Sequence, residues 1–182
     1  MKKTPLLSPL DWSHLVTEIP DAGLVIDKAA SDTERAGLCE ELGLLSLSQL
    51  MSHYRISRLA GGGYRLTGHV RAHVEQPCVV SLEAVADTLE EAFDVEFWPS
   101  TDHRDGGTEE GGQEKRVLEG RDVETLERGA IDAGRIVFET ISSGLDPYPR
   151  KADAAFEWQD KAAAEPLKTN PFATLSKLKG KG

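Results

Sequence analysis

The stretch from Tyr64 to Val74 reads Y-R-L-T-G-H-V-R-A-H-V, and its side chains alternate between two classes. The apolar class comprises Tyr64, Leu66, Val70, Ala72 and Val74. The polar class comprises Arg65, Thr67, His69, Arg71 and His73. Because successive side chains of a strand point to opposite faces, this period of two predicts a β-strand with one buried and one solvated face.

Further strands are predicted on both sides of this one. Upstream, Tyr54 and Ile56 alternate with polar residues, and three glycines (residues 61–63) separate the two runs. Glycine adopts the positive φ values that a tight reversal needs, so the pair of runs predicts a β-hairpin. Downstream, apolar alternation over Cys78–Ala84 and again over Phe93–Phe97 predicts a third and a fourth strand. We therefore expect an antiparallel meander, with curling toward a barrel as an alternative.

Two helices have clear boundary signals. Ser31 and Glu34 have the spacing of a capping box, in which each side chain bonds the other residue's backbone amide, so a helix is expected to begin there. Gly43 stands where a left-handed residue would end that helix. Asp132 is a candidate N-cap for a second helix, which Pro147 prevents from continuing.

The remaining elements are shorter. The runs Trp12–Ile19 and Gly23–Ala29 are rich in β-branched and other apolar residues and predict two strands around a turn. A segment around Val123–Leu126 is expected to return to the sheet. Together the elements predict an α+β fold, in which the two helices pack against an antiparallel sheet.

Two stretches lack the composition of a packed core. Residues 99–116 are acidic and hold no large apolar anchor, so we expect a disordered loop inserted in a single domain of residues 1–158. Residues 159–182 are rich in alanine, lysine and glycine and predict a flexible basic tail. Within it, the segment 170–179 predicts a short amphipathic helix with the groups Phe172, Leu175, Leu178, Lys177 and Lys179.

The tail segment is too short to be a stable isolated helix, so its apolar face needs a receiver. The receiver is either the protein's own sheet or a partner molecule. The neighbouring lysines favour a partner, because a mere tether needs no such clustering of positive charge. We therefore treat the segment as a candidate partner-docking tail.

Composition limits the classes of partner and the compartment. A net charge of -10 over 182 residues and a pI near 5.0 argue against DNA binding and against sequence-independent nucleic-acid binding, so any RNA contact has to be local. Two distant cysteines, Cys39 and Cys78, indicate a reducing compartment. No signal sequence and no run long enough to span a membrane is recognised, so a cytoplasmic protein is expected.

Charge is segregated along the chain. No acidic residue lies between Glu41 and Glu75, whereas Glu83–Glu127 holds fifteen carboxylates against four basic residues. The polar face of the predicted hairpin is correspondingly basic, and its candidate RNA- or partner-binding residues are Arg55, Arg65, His69, Arg71 and His73. Guanidinium groups make forked contacts to phosphate or carboxylate. The alternative is a solvated face that pairs with the acidic segment in cis, and the sequence leaves both open.

Other chemistry finds little support. His53, His69 and His73 lack the Cys or carboxylate that would complete a metal site, and the glycine run lacks the Lys-Ser/Thr pair of a phosphate loop. No serine or cysteine has the neighbours of a nucleophile. We therefore expect no catalytic residue, no metal, no cofactor and no small-molecule substrate.

Several short strings occur in a characteristic order. They are A-x-x-x-E-R from Ala30, G-G-x-Y-R-L-T-G ending at Gly68, Q-x-C-V-V-S-L-E from Gln76, F-x-V-x-F from Phe93, I-D-x-G from Ile131, D-P-Y-P-R-K from Asp146 and N-P-F-A-x-L-x-x-L-K from Asn170. This ordered set resembles the YceD family of large ribosomal RNA subunit accumulation proteins, in the form carried by alphaproteobacteria.

The resemblance implies a bacterial, cytoplasmic and non-enzymatic ribosome-biogenesis factor needed for normal levels of large-subunit ribosomal RNA. Its implied partner is that RNA or an early complex of large-subunit ribosomal proteins. Some family members have additional cysteines that this chain lacks after Cys78, so no zinc role is carried over. Two alternatives from other classes are a protein-binding regulatory module with no RNA role and a hydrolase with an unrecognised site.

Overall fold

The computed structural model describes residues 9–99 and 122–155. The elements in chain order are β1 (Ser13–Leu15), a 3-10 turn (Val16–Glu18), β2 (Leu24–Ala29), α1 (Asp32–Leu42), β3 (Ser46–Arg58), β4 (Tyr64–Pro77), β5 (Ala84–Pro99), β6 (Asp122–Leu126), β7 (Ala130–Asp132) and α2 (Ala133–Gly144). Five strands form one open sheet in the order β2-β3-β4-β5-β6, and β1 pairs with β7. The predicted α+β class is confirmed, and the described sheet is not closed into a barrel.

The predicted hairpin is confirmed as β3 and β4, which pair antiparallel along almost their full length. Gly61 and Gly62 have φ values of 88° and 86°, and the Leu59 amide donates to the Gly63 carbonyl at 2.8 Å. These are left-handed conformations that side chains other than glycine rarely adopt, so the glycines permit the reversal. Strand β4 then continues antiparallel to β5, from Tyr64 opposite Phe97 to Pro77 opposite Ala84.

The prediction of separate third and fourth strands is wrong. Strand β5 runs without interruption through Asp87, and Cys78–Glu83 forms the turn that precedes it. Leu82 has a φ of 62° in this turn and a side chain that is 76% exposed, so the alternation of apolar residues there does not reflect a buried face. Asp87 is tolerated within the strand because its carboxylate is exposed and accepts the Thr88 amide at 2.7 Å.

The predicted pairing of Trp12–Ile19 with Gly23–Ala29 is also wrong. Strand β1 pairs with β7, with His14 opposite Ile131, whereas β2 pairs with β3. Local alternation indicates that a strand exists but not which strand it pairs with, and here the partner of β1 is more than 100 residues away along the chain.

The return to the sheet near Val123–Leu126 is confirmed as β6, but this strand runs parallel to β5 rather than antiparallel. The sheet is therefore mixed at this edge and antiparallel elsewhere. Parallel neighbours need a crossover connection instead of a hairpin, and the residues that make it, 100–121, lie outside the described part of the chain.

Both helix starts are confirmed. The Ser31 hydroxyl accepts the Glu34 amide at 3.3 Å, and the Glu34 carboxylate accepts the Ser31 amide at 2.8 Å. Gly43 ends α1 with a φ of 65°, and Asp132 caps α2 by accepting the Arg135 amide at 3.0 Å. These bonds satisfy backbone groups that have no partner within the helix.

One hydrophobic core lies on the inner side of the sheet. It is built from alternate residues of β3, β4 and β5, from both helices and from the segment before β1, and its largest fully buried members are Tyr54, Leu10, Ile19, Leu38, Leu50, Ile56, Leu66, Ile131 and Ile141. The Tyr54 hydroxyl and His14 Nε2 are 2.8 Å apart. Burial raises the pKa of Tyr54 and lowers that of the half-buried His14, so burial favours the neutral form of both side chains.

The predicted acidic loop lies outside the described residues, apart from Pro99, which ends β5. The predicted basic tail, residues 159–182, also lies outside them. The division into a domain of residues 1–158 and a tail stays a prediction.

We expect the variant Gly68→Ala to be strongly destabilised. A Cβ at this position would lie 2.5 Å from the His53 carbonyl oxygen and 2.5 Å from the Tyr54 Cβ, closer than real atoms approach. Overpacking of this kind costs about 1–3 kcal/mol in the free energy of unfolding, measurable by urea denaturation. The neighbouring variant Thr67→Ala, on the opposite face of β4, is the control and should cost less than about 1 kcal/mol. Equal stability of the two variants would contradict this close-packing account.

Candidate functional site

The five candidate residues Arg55, Arg65, His69, Arg71 and His73 share the outer side of β3 and β4. We call this surface the basic face. Each member alternates with a residue that points inward to the core, as the period of two predicted. The register also brings the two strands into line, with Arg55 opposite Thr67 and His53 opposite His69. The side chains of the face are exposed or half-buried, so their polar groups can reach solvent.

Two of the three arginines on the basic face bind carboxylates of β5. Arg65 contacts both carboxylate oxygens of Asp94, with Nε 2.7 Å from Oδ1, and these bonds raise the pKa of Arg65. Arg71 Nε lies 3.1 Å from Oε1 of Glu90. Both carboxylates belong to the acidic segment Glu83–Glu127. Pairing in cis, one of the two sequence-based alternatives, is therefore present at Arg65 and Arg71.

Arg55 is in a different environment. Its guanidinium donates to the backbone carbonyl of Ala22 at 2.8 Å and forms no ion pair within the described part of the chain. Ion pairs between exposed groups contribute only about 0–1 kcal/mol each, so phosphate or carboxylate oxygens of a partner can replace Asp94 and Glu90. The basic face is therefore compatible with both alternatives.

The histidines of this surface form a small cluster. The rings of His53 and His69 have centroids 5.5 Å apart and planes inclined by 32°, and His53 Nδ1 lies 2.7 Å from an oxygen of Asp27 on β2. His73 Nδ1 lies 3.0 Å from the Thr88 hydroxyl. Flat rings on a sheet face are groups on which RNA bases stack. Across residues 9–99 and 122–155, no three His, Cys, Asp or Glu side chains are grouped to hold a metal ion.

Sequence reasoning missed a second chemically distinctive position, the sulfur of Cys78. The side chain is fully buried, and its sulfur accepts the backbone amides of Val80, Ser81 and Lys151, each at 3.5 Å. Hydrogen bonds from Ser81, then from the amides of Lys151 and Val80, lower the thiol pKa to about 6. Desolvation raises it but is the smallest of the contributions. The hydrogen bonds therefore stabilise a thiolate at neutral pH.

Residues after α2 complete this turn. The Val79 amide donates to the Pro149 carbonyl at 2.9 Å, and Lys151 Nζ binds a Glu83 oxygen at 2.8 Å. The strings that begin at Gln76 and Asp146 are thus adjacent in space although about 70 residues apart in sequence. No local pattern of either string indicates the other, so only their joint occurrence could have suggested the contact.

The second candidate set, the docking-tail residues Phe172, Leu175, Leu178, Lys177 and Lys179, lies outside the described residues.

Of the helices in the described ranges, neither has the length and apolar character needed to cross a membrane.

We expect the contribution of Cys78 to stability to rise with pH. Between about pH 6 and pH 9.0 the unfolded chain binds a proton at this thiol and the native protein does not, so raising the pH favours the native protein. The measurement is the difference in the free energy of unfolding between the wild type and Cys78→Ser, at about pH 5 and about pH 9.

The matched control for this measurement is Cys39→Ser, because burial raises the pKa of the Cys39 thiol and no gain is expected in the same window. A difference between the wild type and Cys78→Ser that does not change with pH would show that the native thiol is not ionised.

Residues 66–179 match the family model described as "Large ribosomal RNA subunit accumulation protein YceD". No curated protein and no solved structure gives a match. The matched region covers more than half of the 182 residues and contains β4 from Leu66 onward, the Cys78 turn, β5 and α2. The match is to the family as a whole, so the assignment to its alphaproteobacterial form stays a prediction. Because the match covers more than half of the chain, the protein belongs to the YceD family.

Proposed function

We propose that this protein is a cytoplasmic ribosome-biogenesis factor that maintains large-subunit ribosomal RNA by binding that RNA or an early complex of large-subunit ribosomal proteins. The observation that carries the proposal is the family match over residues 66–179, because the family is described by accumulation of that RNA. The matched region includes β4 from Leu66 onward, which supplies His69, Arg71 and His73 to the basic face, whereas Arg55 and Arg65 precede it.

The basic face offers the groups that local RNA binding requires. Arg65 and Arg71 are six residues apart on one strand, so their backbone positions lie about 20 Å apart along the surface. Their present partners are exposed carboxylates, with 48% and 65% of the side chains of Asp94 and Glu90 accessible. Exchange of such partners for phosphate costs little, and the net charge of -10 confines the contact to this face.

We propose that the protein acts by binding and not by catalysis. In the described part of the chain, the thiol whose pKa is lowered, that of Cys78, is fully buried. A nucleophile in that position cannot meet a substrate. Hydrogen bonds from the Ser81 side chain and from the backbone amides of Ser81, Lys151 and Val80 account for the lowered pKa as part of how the turn is built.

A protein-binding module with no RNA role is the second candidate. The observation that favours it is the pairing of Arg65 with Asp94 and of Arg71 with Glu90. If these pairs persist in the working state of the protein, the face presents balanced charge, which suits another protein surface better than a polyanion.

If the basic face binds RNA, replacing Arg55, Arg65 and Arg71 together by Gln should weaken binding to purified large-subunit ribosomal RNA. The slope of log affinity against log salt concentration should fall by roughly one unit for each phosphate that the variant no longer neutralises, because fewer counterions are released. Filter binding over a salt series measures both quantities.

The control for this experiment replaces Arg35, Arg128 and Arg150 by Gln, which removes the same charge from other parts of the surface. If the basic-face variant keeps the wild-type slope of log affinity against log salt, or if the control changes it equally, the arginines of the face serve only to pair with carboxylates of this chain.

A chain truncated before Ala162 should melt at an unchanged temperature but fail to restore large-subunit ribosomal RNA in a strain that lacks the gene. The reason is that the apolar groups of the tail, with their neighbouring lysines, are expected to dock on a partner. The full-length variant with Phe172, Leu175 and Leu178 changed to Ala should fail in the same way. Full complementation by the truncated chain would contradict the prediction. A decrease of roughly 2–4 kcal/mol in stability would instead place the segment on the protein's own core.

A further inference from the structure

The outer edge of β5 is only partly used by the sheet. Strand β6 pairs with β5 along Val95–Pro99. From Ala84 to Phe93, β5 pairs with β4 on one side, and within the described part of the chain it has no strand on the other. An unpaired edge offers a row of amide and carbonyl groups, which is a template for the addition of another strand.

A cleft of about 690 Å³ opens beside this edge, between β5, the start of β6 and helix α2. Its lining includes the apolar side chains of Phe93, Val95 and Ile136, which are almost completely buried, so most of the surface exposed in the cleft is polar. Its rim is acidic, with the carboxylates Glu91, Asp94, Asp122, Glu124 and Glu139. The cleft thus combines a backbone template with a negative rim.

The negative charge of the rim is only partly balanced. Arg135 lies between two of the carboxylates, 3.1 Å from Glu124 and 2.8 Å from Glu139, and Arg65 of the basic face binds a third, Asp94. Glu91 and Asp122 form no ion pair with any described residue. A ligand for the cleft therefore needs positive charge.

The same charges disfavour two other occupants. Asp87, Glu90 and Glu91 lie along the free edge, so pairing of β5 with a second copy of itself would bring like charges together. RNA is repelled by the acidic rim. An extended basic peptide fits both features of the cleft, because its backbone can pair with β5 and its cations can reach the rim.

We propose that the cleft between β5 and α2 receives an extended segment of a partner protein, rich in lysine or arginine, which adds to β5 as a further strand. This inference rests on the proposed function. Proteins that neutralise RNA phosphates carry such basic segments, so the partner class is an RNA-binding protein of the large-subunit complex.

The test uses the full-length protein and a fluorescein-labelled peptide of ten residues in which lysine alternates with valine. Fluorescence anisotropy measures its affinity, and hydrogen exchange should show new protection of amides in Ala84–Phe93 when the peptide is added. A peptide of the same sequence with alternate backbone nitrogens methylated keeps its charge but cannot pair along one edge. We expect it to bind roughly tenfold more weakly or worse, because several hydrogen bonds can no longer form.

Protein variants test the charge of the rim. The double variant Glu91→Gln with Asp122→Asn should bind the peptide about three- to tenfold more weakly. The control Glu40→Gln with Glu41→Gln removes the same charge from exposed positions on α1 and should bind as the wild type does. Circular dichroism is used to check that the wild type, the rim variant and the α1 control are all folded.

Four results would overturn the proposal. They are equal affinity for the methylated peptide, an equal weakening in the α1 control, protection of the β5 edge in the free monomer, and self-association that the rim variant abolishes. The last two would assign the edge to the chain itself or to a second copy. The peptide measurement contains no RNA. If the peptide does not bind, the RNA-binding and complementation tests of the proposed function still stand. If those tests fail, the peptide measurement still decides whether the cleft binds a basic segment.

Discussion

Tyr54, Gly68 and Phe93 stand opposite one another on three adjacent strands, and the packing among them determines how the sheet is aligned. The absent side chain of Gly68 leaves the space that Tyr54 and Phe93 occupy. Because strand side chains alternate, a slip of one residue at this point would turn the arginines and histidines of β4 into the core. The close contact at Gly68 therefore maintains both the hydrophobic interior and the basic face.

Features encoded within a few residues could be predicted from the sequence. The alternation of β4, the capping box at Ser31 and the cap at Asp132 each depend on neighbours along the chain. The pairing of β1 with β7 and the parallel placement of β6 depend on distant residues, and no local pattern encodes them. Apolar and polar residues also alternate over Cys78–Glu83, so this segment resembles a strand in sequence. It is a turn instead, in which backbone amides donate to the Cys78 sulfur.

The same distinction applies to the candidate site. Parity placed the four β4 residues of the basic face on one surface, since it follows from the geometry of a single strand, and the predicted hairpin added Arg55 of β3. The partners Asp94 and Glu90, and Asp27 beside His53, follow from the register between strands, which could not be read in advance. The acidic cleft was missed for that reason too. Surfaces of opposite charge thus lie on neighbouring strands of one sheet, the basic face on β3 and β4 and the acidic cleft beside β5.

The pairing of β1 with β7 has a consequence for the order of assembly. Strand β1 cannot pair until Ala130–Asp132 have been synthesised, and the carbonyl of Leu10 packs closely against Gly134 just beyond them. At translation rates of about 5–20 residues per second, the intervening chain takes on the order of ten seconds to appear. Strands β2 to β5 can form in that interval, and Trp12 can already donate to Glu34 of α1, but the Leu10 carbonyl has no Gly134 to pack against. The segment before β1 therefore completes its packing only after the central strands have been synthesised, and for those seconds part of its apolar surface is open to the chaperones that attend nascent proteins.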